Sequence, residues 1–119
     1  MTDPIRDDYP APDLTRFFRL LGLCAKAGKL VCGTELICRA LARSPAAPGY
    51  PKLVLAANDI SANTAKRLRD RCAYYSVELI TLPAGMDELS RTAGKSALTA
   101  AVAVCDAGLA AELRKRGRG

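Results

Sequence analysis

Apolar residues recur along this chain first at helical and then at strand spacing. Leu14, Phe17, Phe18, Leu21, Cys24 and Ala25 fall on one helical face, with Arg16, Arg19 and Lys26 on the other. Asp13 is placed to cap that helix and Gly28 to stop it. Lys29 to Cys32 reads as a short strand, and Gly33 opens a second helical pattern through Ile37, Ala40 and Leu41. Ser44 to Pro51, SPAAPGYP, has to be a loop, and KLVLAA, from Lys52 to Ala57, reads as a buried strand ending at the turn residues Asn58 and Asp59. Ser61 or Asn63 caps a third helix running to about Tyr75, with Ala65, Leu68 and Cys72 inward and Lys66, Arg67, Arg69 and Arg71 elsewhere. Val77 to Leu82 is a strand, Met86 to Ala93 a helix, Gly94 to Ser96 a loop, Thr99 to Cys105 an apolar strand, and Leu109 to Leu113 a closing helix.

Helices alternating with apolar strands predict an α/β fold: one domain, a three-layer α/β/α sandwich around a sheet of about four strands. Residues 1–12 contain three Pro and no apolar period and read as a flexible leader. The domain then spans 13–113, and 114–119 form a basic tail.

The formal charge is +6; outside the first twelve residues, which set Asp3, Asp7 and Asp8 against Arg6, the chain carries 17 basic and 9 acidic residues, a net +8. A basic globular body points toward polyanions, but charge alone selects no partner. No run approaches the roughly 20 apolar residues of a membrane span, and the N-terminus lacks a secretory pattern, so a cytoplasmic protein is expected. The chain has no His, and its carboxylates are scattered singly, which argues against an enzyme working by general acid–base chemistry. Cys24, Cys32, Cys38, Cys72 and Cys105 lack paired spacing and are expected to be buried free thiols, with no metal bound.

The segment Thr92 to Ser96, TAGKS, looks like the end of a phosphate-binding loop. Leu89 stands where that loop needs its first Gly, so a plain helix-to-strand loop is the better reading. The segment KLVCGTELICRALAR, Lys29 to Arg43, carries more. A strand, a Gly and a helix start leave backbone N–H groups pointing outward beside Lys29, a corner able to hold a phosphate or a base edge. Glu35, Arg39 and Arg43 follow at four-residue spacing along one stripe. Arg39 could then reach a guanine edge or a phosphate, while the plainer alternative is a Glu35–Arg39 surface ion pair worth only about 0.3–0.5 kcal/mol.

Three blocks, AGKLVCGTELICRAL, LVLAANDIS and ELSRTAGKSALTAAVAV, together resemble the kink-turn-binding ribosomal protein superfamily, from about Leu14 to Leu113. Within it the chain is most similar to small stand-alone bacterial relatives of archaeal large-subunit ribosomal proteins. The resemblance implies an α/β/α sandwich that binds kinked, structured RNA of the kink-turn type, ribosomal RNA being one candidate, with no cofactor, small-molecule substrate or catalytic step. In the family's motif a Gly is followed two positions on by Asn, three on by Glu and six on by a basic residue. Gly33, Thr34 and Arg39 suit that pattern, whereas Glu35 replaces the amide with an acceptor-only carboxylate and Leu36 removes the acidic side chain. The family's second contact, the loop before the last strand, corresponds to Gly94, Lys95, Ser96 and Ala97. Asp59 also matches the family, though a turn or helix-start residue is expected there on general grounds. The alternative is a protein-interaction module on the same fold that has lost RNA recognition, with Leu36 in its contact patch.

Overall fold

A computed structural model describes residues 11–117, with side chains from Leu14 to Arg116. Five helices, α1 (Ala11–Lys26), α2 (Thr34–Leu41), α3 (Ala62–Tyr74), α4 (Met86–Thr92) and α5 (Ala107–Gly117), enclose four strands. The strands are β1 (Leu30–Cys32), β2 (Leu53–Ala56), β3 (Glu78–Thr81) and β4 (Ala101–Val104), in the spatial order β1-β4-β2-β3. β4 lies between β1 and β2, antiparallel to both, with Val104 opposite Leu30 on one side and Leu53 on the other. β2 and β3 are parallel, Leu53 beside Glu78, because α3 carries the chain back across the sheet between them. The result is the α/β/α sandwich with a four-stranded sheet that the alternation of elements implied.

The two central strands are buried on both faces, and their alternation sorts the core. Leu53, Leu55, Val102 and Val104 meet Phe17, Leu21 and Cys24 of α1, Leu89 of α4 and Leu113 of α5. On the opposite face Val54, Ala56, Ala101 and Ala103 meet Ile37 and Leu41 of α2 and Leu68 and Cys72 of α3. Strand β4 thus gives its Val side chains to the three-helix layer and its Ala side chains to the two-helix layer.

Several ends differ from the sequence expectation. Helix α1 begins at Ala11 rather than after Asp13, with Pro12 in its first turn, where a missing N–H costs nothing. Of the expected leader, residues 1–10 lie outside the described residues. Ser61, not Asn63, caps α3, its Oγ accepting from the Thr64 N–H at 3.2 Å. Helix α5 starts before Leu109, whose N–H donates to Asp106 Oδ2 at 2.9 Å, and runs on past Leu113. Arg114 there donates to Glu78 Oε1 at 2.6 Å and to the Lys52 carbonyl at 3.1 Å, so it is tied to the sheet. Arg118 and Gly119 of the expected tail lie outside the described residues. No helix among the described residues is long and apolar enough to cross a membrane.

Candidate functional site

The first wall of the site is built by the turn from β1 into α2. Gly33 sits at φ 101° and ψ 141°, backbone that L side chains rarely adopt. Its N–H donates to the Ala101 carbonyl at 3.0 Å, which fastens the turn to β4, and its carbonyl accepts the first helical bond, from Ile37. No side chain among the described residues caps α2, so the N–H groups of its first turn, at Thr34, Glu35 and Leu36, face outward. At the other end of α2, the buried Tyr50 hydroxyl donates to the Leu41 carbonyl at 2.9 Å. The helix is held at both ends.

The second wall is the loop after α4. Gly94, at φ 75°, ends that helix with paired bonds, its own N–H to the Arg91 carbonyl and the Lys95 N–H to the Ser90 carbonyl. TAGKS is therefore a helix end followed by a loop. Ser90 is buried, and its Oγ accepts from the Thr99 N–H at 2.6 Å, closing the base of the loop. Gly94, Lys95, Ser96 and Ala97 are left exposed above that closure, together with Leu98, which is 64% exposed. Asp59 acts from a distance: its Oδ1 accepts from the Met86 N–H at 2.9 Å and caps α4, whose N-cap Gly85 has no side chain to do so. It is a helix-start residue, as general turn chemistry suggested, and it positions the helix that ends in this loop.

Between the two walls runs a groove of about 390 Å³ along the outer edge of β1. Leu30, Val31 and Cys32 form one side, Leu36, Arg39, Ala40 and Arg43 of α2 the other, and Lys95 reaches in from the loop. Two segments far apart in the sequence thus meet at one place. Residues 36, 39, 40 and 43 follow the i, i+3, i+4, i+7 spacing of one helical stripe. Arg43, which spacing had already placed on one stripe with Glu35 and Arg39, and Leu98 are additions to the expected contact residues; only exposure shows the second. Leu36 is 52% exposed, an unusual position for a large apolar side chain.

The remaining sequence candidates are not gathered in the groove. Lys29 stands at the far end of β1 from Gly33, about 13 Å away at roughly 3.3 Å per residue, and is not among the lining residues, so the corner at Gly33 is formed without it. Glu35 does not pair with Arg39 as the plainer alternative had it. Its Oε1 lies 3.0 Å from Nη2 of Arg67 on α3, and the hydrogen bond that the guanidinium donates to Glu35 favours its charged form. Sequence periodicity gave no sign of this pairing, because it crosses between helices. With Glu35 turned to α3, Arg39, Arg43 and Lys95 have no acidic partner among the described residues.

The cysteines behave as thiols in a packed interior. Cys24, Cys38 and Cys72 are buried and Cys32 and Cys105 partly so, and none is in a disulfide. Burial pushes the Cys72 thiol up to about 11, helped by the nearby Cys38. Burial also raises Cys32, and the positive charge of Lys95 opposes that rise, which registers the cationic field in the groove.

Comparison with known proteins follows the same outline. The family described as ribosomal protein L7Ae/L30e/S12e/Gadd45 matches residues 15–114. The RNA-binding protein YlxQ of Bacillus subtilis (strain 168) is 39% identical over 97 residues, covering 82% of this chain and 90% of its own length. The RNA-binding protein YlxQ of Enterococcus faecium is 40% identical over 63 residues, covering 53% of this chain and 56% of its own. A solved structure from Bacillus halodurans C, of a protein with unknown function, superposes with a TM-score of 0.76 at 28% identity over 87% of this chain and 97% of that one. The Giardia lamblia 15.5kD RNA binding protein has a TM-score of 0.71 at 17% identity and covers 98% of both chains, a likeness of fold. The kinship suggested by the three sequence blocks thus extends from α1 into α5, and the chain belongs to the ribosomal protein L7Ae/L30e/S12e/Gadd45 family.

Proposed function

We propose that this protein is a cytoplasmic, non-catalytic RNA-binding protein that recognises kinked, structured RNA of the kink-turn type, ribosomal RNA being one candidate, through the groove between α2 and the loop after α4. The observation that carries this reading is the convergence of Leu36, Arg39 and Arg43 with Lys95 on one groove beside an uncapped helix start. Each part has a use for RNA. Arg39, Arg43 and Lys95 meet phosphates, and the outward N–H groups at Thr34, Glu35 and Leu36 meet a phosphate or base edge. Leu36 and Ala97 offer apolar contact to an unstacked base, which a sharply bent RNA exposes and a regular duplex does not. The RNA-binding relatives support the same partner class.

The test is titration of the purified protein with a kink-turn RNA and with a control whose G·A pairs are replaced by Watson–Crick pairs, at moderate and raised salt. Preference for the kinked RNA that is lost in Arg39→Glu is expected. Equal, salt-sensitive binding to both RNAs would contradict the proposal. It would favour the other reading, in which exposed Leu36 and Leu98 dock a protein partner on a fold that no longer selects RNA.

A further inference from the structure

We infer that Arg67 determines specificity for the RNA proposed above: by holding the Glu35 carboxylate, it makes the pair a combined donor and acceptor aimed at the edge of one base. The inference rests on the groove being an RNA site.

Glu35 lies in the first turn of α2, one residue before Leu36 of the groove wall. Alone, an ionised carboxylate there can only accept hydrogen bonds, and it would repel the phosphates that Arg39, Arg43 and Lys95 attract. Arg67 changes both properties. Its Nη2, 3.0 Å from Oε1, cancels the charge and leaves Oε2 as an acceptor. A guanidinium carries five N–H donors in a fixed plane, and among the described residues Glu35 is its only acceptor, so most of that fork stays available.

The pair is also placed to be used. Its side chains are 62% and 40% exposed, for Glu35 and Arg67 respectively, so an edge can reach both. Ile37 and Leu41 of α2 share a buried cluster with Leu68 and Cys72 of α3, which fixes the spacing of the two helices. A pair this exposed adds little to folding, so its loss leaves the protein folded and the RNA readout interpretable. The ligand chemistry is a base edge offering both N–H donors and a ring or carbonyl acceptor, as purines do.

The experiment is a double-mutant cycle. Wild type, Arg67→Ala, Glu35→Gln and the double variant are each titrated with the kink-turn RNA and the Watson–Crick control, with thermal unfolding followed in parallel. Arg67→Ala should weaken binding of the kinked RNA about tenfold, as loss of a charge-assisted contact does, and change control binding less than about threefold. The double variant should be no worse than the single ones, because both break one unit. Arg67→Lys should restore only part of the preference, since an ammonium lacks the planar fork. A loss equal for both RNAs, or single losses that multiply, would overturn the inference while the kink-turn reading stood. Wild type that does not distinguish the RNAs would instead overturn that reading, and this inference with it.

Discussion

Gly33 is the residue at which backbone conformation and the proposed site coincide. A Cβ added there meets nothing within 4 Å, so a substitution is opposed by its φ of 101° and not by crowding. Gly33→Ala should fold but lose about 1–3 kcal/mol in urea unfolding, the usual cost of forcing an L residue into such a region. Cys72 makes a different prediction. Its thiol is raised from 9.0 to about 11, so the unfolded chain ionises first as pH climbs. Its contribution to stability is complete below pH 9 and is lost toward pH 11, a fall that urea midpoints on either side of this window would record and that Cys72→Ala should flatten. At this scale the sequence was uneven. Gly28, Gly33 and Gly94 were legible because helix ends need residues of their kind, whereas Arg67 pairs with Glu35 only once α2 and α3 pack side by side. Lys29 was misplaced because adjacency in sequence hides the length of a strand.

Among the elements, α4 matters out of proportion to its seven residues, since it ends in the loop that carries Lys95. Its start is capped from another segment by Asp59, and its end is closed by Ser90 accepting from Thr99. Asp59→Ala should cost about 1 kcal/mol and speed hydrogen exchange through 94–98, as expected for a lost cap. Ser90→Ala should cost about 1–3 kcal/mol, because it leaves the buried Thr99 N–H without its acceptor. Periodicity located all nine elements of the described residues, since the helices turn an apolar stripe inward and the central strands are buried on both faces. It misjudged two ends: α1 begins at Ala11, and α5 runs into the basic residues that had been read as a tail. Within α5, Arg114 contacts Glu78 and Lys52 far along the chain, which no local pattern reveals.

For the whole molecule, the sandwich leaves β1 at a sheet edge with α2 beside it, and the groove between them collects positive charge. If Arg39, Arg43 and Lys95 each neutralise one phosphate, the logarithm of affinity should fall against the logarithm of salt with a slope of about −2 to −3. Lys95→Ala should reduce that slope by about one while leaving base preference intact. The overall architecture was legible in advance because alternating helices and apolar strands admit few layered solutions. The groove itself was legible only as two separate segments, and folding was needed to bring them together. The most direct measurement is amide chemical-shift mapping by NMR as kink-turn RNA is added. Shifts should concentrate at residues 33–43 and 94–98 and at Arg67, with the outer face of α1 and α5 unchanged. Shifts centred on α1 and α5, or spread evenly over every basic residue, would contradict it.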